Sequence, residues 1–186
     1  MRVISGSAKG IRLASVPGKS TRPITDQVKE ALFNILADSV VGSQFLDLFG
    51  GTGSVGIEAL SRGAEEAVFL DTNYRAYKVI QQNLQSTGLD DYASVHKKDA
   101  FAYLRSEPSQ QFDFIYIAPP QYQGYWIKAM HILDQNSDWT TPEGVAIVQI
   151  HPKEDVNSYG YANFQEYLRR NYGDTELIFF ERFQAK

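Results

Sequence analysis

The sequence predicts an α/β protein built on a doubly wound, mostly parallel sheet of seven strands. Short apolar segments alternate with helical ones from residue 44 onward, and a glycine-rich turn follows the first of them. Strands that alternate with helices form parallel sheets covered on both faces, with right-handed crossovers. The 186 residues contain no repeat and no low-complexity linker, so we expect one domain over residues 1–186.

The individual elements follow from apolar periodicity and from turn residues. A helix should begin at Thr25 or Asp26, because a capping side chain precedes an apolar stripe at helical spacing. Strands are predicted at 44–48, 66–70, 92–96, 112–117 and 144–150, and helices at 54–62, 73–86, 100–104 and 124–134. Residues 175–183 should add an antiparallel C-terminal strand, and the periodicity leaves 164–171 open between strand and helix.

The composition restricts the chemistry. There is no Cys, which excludes disulfides, iron–sulfur clusters, thiolate zinc sites and a Cys nucleophile. The three His residues show no metal-ligand spacing, so we expect no metal. No segment has the apolar length of a signal peptide or a membrane span, which predicts a cytoplasmic protein without a membrane partner.

Positive charge is concentrated at the N-terminus of an otherwise acidic chain. Residues 1–29 have a net charge of +5, and the other residues have −9. We expect residues 1–23 to form a small β-hairpin, with 2–5 pairing against 11–14, that precedes a core at 24–186. Its cations could bind RNA phosphate, or the segment could be a solvated leader. The candidate phosphate ligands are Arg2, Lys9, Arg12, Lys19 and Arg22.

A glycine loop follows the first strand, in the sequence LDLFGGTGSVGIEAL at 46–60. Such a turn brings a ligand against the backbone at a helix N-terminus. The spacing lacks the G-x-G-x-x-G register of dinucleotide sites, and no Walker-A lysine follows. Asp47 at the strand end would repel a pyrophosphate but suits an ammonium group, which favours S-adenosylmethionine as the cofactor.

Two further acids end the next two strands. Asp71 follows the second strand, where an acid accepts hydrogen bonds from ribose hydroxyls in this fold class. Asp99 follows the third strand, within reach of an adenine amino group. Either residue alone could equally be a helix N-cap. Their register with Asp47 favours a common cofactor site.

The chain resembles the bacterial guanine-N2 methyltransferases of 16S ribosomal RNA over nearly its whole length. TRPITDQVKEALFNIL (21–36) is the most specific match, and RVISGSAKGIRL (2–13), LDLFGGTGSVGIEALSRGA (46–64) and YGDTEL (172–177) are also similar. The resemblance implies a Rossmann-like methyltransferase fold, S-adenosylmethionine as cofactor, and the small subunit as partner of a monomer. It also implies a site that is formed by Asp47, Phe49, Gly50, Gly51, Thr52 and Gly53, with Asp71 for the ribose and Asp99–Ala100 for the adenine.

The sequence departs from this family at the catalytic loop. The family's tetrapeptide is Asp-Pro-Pro-Tyr, whereas this chain has Ala118-Pro119-Pro120-Gln121, followed by Tyr122. The acid and the first Pro carbonyl accept the protons of the poorly nucleophilic guanine amine, and only the carbonyl remains here. Gln121 could supply an amide oxygen, and Tyr122 an aromatic surface for the base. Trp126 could border the base pocket or pack in the core.

Three functions remain open. The first is methyl transfer to guanine N2 of 16S ribosomal RNA. The second is a non-catalytic assembly factor that binds S-adenosylmethionine and ribosomal RNA, which the loss of the acid at Ala118 favours. The third is methylation of another amine, such as adenine N6, because the Pro-Pro loop occurs widely. The complete cofactor loop favours catalysis, and the segment TRPITD favours the RNA family.

Overall fold

A computed structural model describes residues 1–18, 23–156 and 160–183 of the chain. They divide into two compact units, residues 1–99 and residues 100–186. The strands follow the order β3-β2-β1-β4-β5-β7-β6 in one seven-stranded sheet. The predicted fold class is therefore confirmed. The arrangement of the chain as a single domain stays a prediction.

The first unit contains three parallel strands and the helices that connect them. Its elements are α1 (Asp26–Leu36), β1 (Gln44–Asp47), α2 (Ser54–Ser61), β2 (Glu66–Leu70), α3 (Tyr74–Thr87) and β3 (Ala93–His96), with short 3₁₀ turns at Ala37–Val40 and Asp90–Tyr92. β2 lies between β1 and β3 and is parallel to both. Every residue of α2 is buried, because this helix packs within the unit on all sides.

The second unit contains the remaining strands. Its elements are α4 (Ala100–Arg105), β4 (Phe112–Ile117), α5 (Tyr125–Gln135), β5 (Thr140–Ile150), β6 (Phe164–Tyr172) and β7 (Thr175–Arg182), with 3₁₀ turns at Ser137–Trp139 and Pro152–Glu154. β4 and β5 are parallel, and β7 is antiparallel to both β5 and β6. The segment that periodicity left open is therefore the strand β6.

The predicted bounds differ from the observed ones mainly at β5. This strand begins at Thr140, four residues before the predicted start at 144. Thr140 pairs with Phe112, and the register then shifts before Phe114 pairs with Val145. The apolar pattern did not predict the start at Thr140, because residues 140–143 are polar. The irregular register in this region also breaks the alternation of buried and exposed side chains.

The N-terminal hairpin forms, although with a single bridge rather than two regular strands. Arg2 pairs with Arg12, and the Val3 N–H donates to the Ile11 carbonyl at 3.0 Å. Thr25 caps α1 by accepting from the Val28 N–H at 3.2 Å, as predicted. In the parts of the chain that the structure describes, no helix combines the length and apolar character needed to cross a membrane.

Candidate functional site

The glycine loop is a tight turn between β1 and α2. The Gly50 N–H donates to the Leu70 carbonyl of the neighbouring strand at 2.7 Å, and the Gly53 N–H donates back to the Gly50 carbonyl at 2.7 Å. These bonds fix the loop against β2 and place Gly53 directly before the first turn of α2. The fully buried helix α2 therefore begins directly after this loop, and its first free N–H groups lie at the loop.

Gly51 is the loop residue that leaves room for a ligand. A Cβ at Gly50 would lie 2.7 Å from Ile80 Cδ1, and one at Gly53 would lie 3.2 Å from Ile80 Cγ2. At Gly51 the nearest atom to a Cβ would be the Phe49 carbonyl oxygen, 3.9 Å away, and its φ is +57°. Gly50 and Gly53 therefore serve close packing, whereas Gly51 exposes backbone to open space.

Asp47 ends β1 beneath this loop with a buried carboxyl group. Its exposed fraction is 2%. Oδ2 accepts a long hydrogen bond of 3.4 Å from the Gly56 N–H, and Oδ1 is buried without a hydrogen-bond partner. Burial raises the pKa of Asp47 to about 8, the Gly56 hydrogen bond opposes this rise, and the charge of Asp71 adds to it.

The unpaired Oδ1 of Asp47 shows which kind of ligand group would fit this turn. A buried carboxylate oxygen without a donor costs free energy that a cationic ligand would recover. The ammonium group on the methionine part of S-adenosylmethionine is such a donor. The residues of this turn therefore fit that cofactor.

The carboxyl group of Asp47 should make stability depend on pH. Its pKa is about 8 when folded, against 3.8 as the ordinary value. Between these two values the folded state holds a proton that the unfolded state has lost. Stability should therefore fall as pH rises through that window, by at most about 1.4 kcal/mol per pH unit, and level off above it. Urea unfolding from about pH 5 to about pH 9 measures this slope.

Asp47→Asn is the matched control, because it keeps the shape of the side chain and removes the titration. The variant should lack the decline. Equal slopes in both proteins would contradict the raised pKa. Affinity for S-adenosylhomocysteine should rise over the same range in the wild type, since the ammonium group favours the ionised carboxylate.

Asp71 is fixed beside Gly51. Its Oδ2 accepts from the Gly51 N–H at 3.0 Å, and its Oδ1 accepts from the Asn73 N–H at 2.8 Å. Asn73, not Asp71, caps α3 by accepting from the Arg75 N–H. The helix-cap alternative is thus wrong for Asp71. Its half-buried carboxylate lies next to the one open glycine of the loop, which suits a ligand hydroxyl.

The other predicted cofactor residues differ in their exposure to solvent. Asp99 is exposed directly before α4, which begins at the buried Ala100, so the helix-cap alternative remains for Asp99. Phe49 is half-buried. Thr52 is buried, and its hydroxyl donates to Met1 Sδ at 3.6 Å.

Two buried polar residues that the sequence analysis missed connect the N-terminal hairpin to this loop. Asn83 of α3 donates to the carbonyls of Thr52 and Ala14 at 2.8 and 3.1 Å and accepts from the Ala14 N–H at 2.7 Å. Glu58 of α2 accepts from the backbone N–H groups of Ile4 and Ser5 at 2.8 and 3.0 Å. The alternative of a solvated leader is wrong for these hairpin residues, because their backbone is bonded to buried side chains.

Glu58 also forms a buried ion pair. Glu58 and Lys29 have no exposed side-chain surface, and Lys29 Nζ lies 3.4 Å from Glu58 Oε2. Lys29 donates to the Arg2 carbonyl at 2.7 Å, and Arg62 Nε lies 2.8 Å from Glu58 Oε1. Burial lowers the pKa of Lys29, and Glu58 opposes this effect. An acid inside the apolar run VGIEAL is the sequence signal that could have identified the pair.

The hairpin presents three of the predicted RNA ligands. Arg2, Lys9 and Arg12 are exposed, and Arg2 Nε lies 3.6 Å from Asp26 Oδ2. Lys19 and Arg22 lie outside the described residues. The described cations are therefore held on a hairpin that is anchored by Glu58 and Asn83.

The predicted catalytic loop follows β4 in the second unit. Pro119 is buried, whereas Ala118, Pro120 and Gln121 are half-buried. Tyr122 is 63% exposed and adopts a φ of +62°, which is unusual for a residue with a side chain. Backbone strain of this kind persists only where neighbouring contacts enforce it.

Glu154, which the sequence analysis did not identify, supplies such contacts. Its Oε2 accepts from the Tyr122 N–H at 2.7 Å, and its Oε1 accepts from the His151 N–H at 3.2 Å. The Tyr122 and His151 rings lie 5.7 Å apart. Glu154 closes a capping box with His151. An acid three residues after a capping residue is therefore the sequence pattern that could have identified Glu154. Trp126 is fully buried and donates to the Glu154 carbonyl, which favours the core alternative for this residue.

Relatives of known sequence cover most of the chain. The family model described as "Conserved hypothetical protein 95" matches residues 1–181. The "Putative rRNA methyltransferase YlbH" of Bacillus subtilis is 39% identical over 83% of this chain and 84% of its own. The "Ribosomal RNA small subunit methyltransferase D" of Escherichia coli K12 is 30% identical over 80% of this chain and 74% of its own.

Solved structures agree with these relatives. The "Putative methyltransferase yhhF" of Escherichia coli superposes with a TM-score of 0.86 at 29% identity, covering 100% of this chain and 99% of its own. The "putative methylase HI0767" of Haemophilus influenzae gives 0.81 at 27% identity, covering 98% of each chain. These relatives are named as methyltransferases, which agrees with S-adenosylmethionine as the predicted cofactor. The chain belongs to the family described as conserved hypothetical protein 95, the family of the small-subunit methyltransferase D proteins.

Proposed function

We propose that the chain transfers a methyl group from S-adenosylmethionine to the N2 amine of a guanine in 16S ribosomal RNA. The observation that carries this proposal is the turn at Gly51, where an open glycine, the fixed carboxylate of Asp71 and the unsatisfied Asp47 oxygen share one loop. The small-subunit methyltransferase names of several relatives support ribosomal RNA as the substrate.

Each group of this turn has a distinct part in holding the cofactor. Asp47 accepts from the ammonium group with its free oxygen, and the open Gly51 backbone borders the methionine part. Asp71 accepts from ribose hydroxyls, because its hydrogen bonds to Gly51 and Asn73 fix the carboxylate in place. S-adenosylmethionine supplies the electrophilic methyl group on its sulfonium.

The catalytic loop orients the amine. The lone pair of the guanine N2 amine is delocalised into the ring, so the reaction needs acceptors that hold its protons in a fixed direction. The Pro119 carbonyl is one acceptor, and the amide oxygen of Gln121 is the candidate for the second. Tyr122 offers its exposed ring to the base, and Glu154 holds the backbone that carries this ring.

The proposed partner is 16S ribosomal RNA within the 30S subunit, bound by a monomer in the cytoplasm. The anchored hairpin supports this proposal, because it presents Lys9 and Arg12 to solvent on an otherwise acidic chain. Binding through such contacts depends on the release of counterions from phosphate.

Replacing Lys9 and Arg12 together by Ala should weaken binding to 30S subunits. Each lost phosphate contact should lower the slope of log affinity against log salt concentration by about 1. Titration at several salt concentrations measures this slope. A control variant with Arg105 and Arg170 replaced by Ala removes the same charge from exposed sites in the second unit. If both variants lose affinity equally, the hairpin has no specific part in RNA binding.

A second candidate function is that of a non-catalytic assembly factor, which Ala118 favours because it has no acceptor in place of the family's acid. Methylation of adenine N6 is a third candidate. Transfer of labelled methyl to unmodified 30S subunits, followed by digestion to nucleosides, separates all three. The proposal expects N2-methylguanosine. N6-methyladenosine, or no product, would contradict it.

A further inference from the structure

An exposed cluster of tyrosines and lysines lies at the start of α3. Tyr74 is 58% exposed, and its ring stacks on that of Tyr77 at a centroid distance of 6.2 Å. Lys78 Nζ lies 5.7 Å from the Tyr74 ring centroid and 5.9 Å from that of Tyr77. Lys97 Nζ, which follows β3, lies 5.7 Å from the Tyr74 ring centroid. These four residues are called the Tyr74 cluster.

The Tyr74 cluster carries two positive charges, on Lys78 and Lys97. Two ammonium groups lie within 6 Å of one ring, and the exposed Arg75 and Lys98 follow Tyr74 and Lys97 in the sequence. Among the described residues, no carboxylate forms an ion pair with Lys78 or Lys97. Two ammonium groups beside one exposed ring contrast with the net charge of −4 of the whole chain. An anionic ligand would relieve their mutual repulsion.

Packing does not account for Tyr74. A tyrosine on an amphipathic helix usually buries its ring, and the buried stripe of α3 consists of Ala76, Val79, Ile80, Asn83 and Leu84. Tyr74 is outside this stripe. A flat ring flanked by cations is instead the arrangement that binds single-stranded nucleic acid, where bases stack on aromatic rings and lysines contact phosphates.

We infer that the Tyr74 cluster binds an unpaired segment of RNA, with a base on the Tyr74 ring and its flanking phosphates on Lys78 and Lys97. This inference rests on the proposed function and adds a second RNA contact to the hairpin. Exposed cation–π contacts are weak compared with base stacking, so the lysines can exchange the ring for phosphates when RNA binds.

The position of the Tyr74 cluster fits this role. α3 begins three residues after Asp71, so the cluster lies beside the proposed ribose site without including its ligands. Asn83 on the same helix holds the hairpin at Ala14, nine residues further on. At 1.5 Å per residue, about 13 Å of helix separates Tyr74 from the residue that holds the hairpin.

Three variants test the inference with a short single-stranded RNA of mixed sequence and a duplex of the same sequence as probes. Tyr74→Leu should weaken single-strand binding by about 5- to 100-fold, whereas Tyr74→Phe should retain it. Replacing Lys78 and Lys97 together by Gln should lower the salt slope by about 1.4, since a single-strand phosphate contributes about 0.7. Duplex binding should respond to the lysine changes but not to Tyr74→Leu.

Matched controls come from the same chain. Tyr92→Leu removes a tyrosine of similar exposure, 56%, and replacing Arg105 and Arg170 by Gln removes the same charge as the lysine variant. Both controls should bind RNA as the wild type does. S-adenosylhomocysteine affinity, measured by calorimetry, should be the same in all the proteins.

The outcomes separate the inference from the proposed function. If the wild type methylates 30S subunits while the Tyr74 and lysine variants match their controls, the inference is wrong and the proposed function stands. If Tyr74→Leu loses cofactor affinity, the ring belongs to the cofactor site and the inference is also wrong. If the wild type neither binds nor methylates RNA, the proposed function fails and the inference fails with it.

Discussion

Replacing Glu58 by Ala is expected to lower the free energy of unfolding by about 3–5 kcal/mol. The change would leave the buried Lys29 ammonium without its counter-ion and the N–H groups of Ile4 and Ser5 without their acceptor. Breaking a buried pair by removing one partner is far more costly than replacing both partners. Urea unfolding at neutral pH, analysed with a common m-value, measures the loss.

A double variant, Glu58→Leu with Lys29→Met, distinguishes the lost charge pair from lost packing. It should recover only the part of the loss that comes from the uncompensated Lys29 charge, because the Ile4 and Ser5 N–H groups still lack their acceptor. The double-mutant cycle gives the coupling between the two residues. A loss below about 1 kcal/mol for Glu58→Ala, in the range of exposed pairs, would contradict the buried pair.

Anchoring of the hairpin links the stability of this region to the cofactor loop. Glu58 lies on α2, whose first turn follows the loop, and Asn83 holds both Ala14 and Thr52. We therefore expect Glu58→Ala to weaken S-adenosylhomocysteine binding as well. Glu58→Gln keeps the shape and one acceptor oxygen, and it should fall between the wild type and Glu58→Ala in both measurements.

The sequence was sufficient to predict the sheet because parallel strands are buried on both faces. β2 (Glu66–Leu70) and β4 (Phe112–Ile117) have their predicted bounds, since each is a short apolar run between polar segments. The loop around Gly51 was also predictable, because turns that need positive φ select glycine. Periodicity could not distinguish strand from helix for β6, because its residues alternate irregularly between buried and exposed.

The contacts that complete the site could not be predicted from local sequence. Glu58 meets Ile4 across 54 residues, Asn83 meets Ala14 across 69, and Glu154 meets Tyr122 across 32. Each is a polar side chain whose partner is a backbone group. A backbone N–H or carbonyl leaves no trace in residue type, so pattern analysis has no signal for the pairing.

Ala118 stands where the related family has its catalytic acid. Ala118→Asp should raise the single-turnover rate of methyl transfer by lowering the barrier by about 1–3 kcal/mol, if the loop holds guanine with the Pro119 carbonyl alone. The added carboxylate would accept the second amine proton. Ala118 is half-buried at the end of β4, so the larger side chain requires only a modest adjustment.

Gln121→Ala is the complementary variant. If the Gln121 amide already accepts the second proton, Gln121→Ala should slow transfer and Ala118→Asp should add little. Tyr122→Ala should slow transfer in either case, because it removes the exposed ring proposed for the base. Thermal unfolding of each variant separates these effects from a loss of fold. If neither Ala118→Asp nor Gln121→Ala changes the rate, the proposed arrangement of acceptors is wrong.

We propose that this chain catalyses methyl transfer to ribosomal RNA although Ala118 stands in place of the family's acid. Single-turnover transfer of labelled methyl from S-adenosylmethionine to unmodified 30S subunits tests it most directly, with cofactor and RNA binding confirmed for every protein used. The account predicts transfer by the wild type. Binding of both ligands with no detectable transfer by the wild type would contradict the proposal.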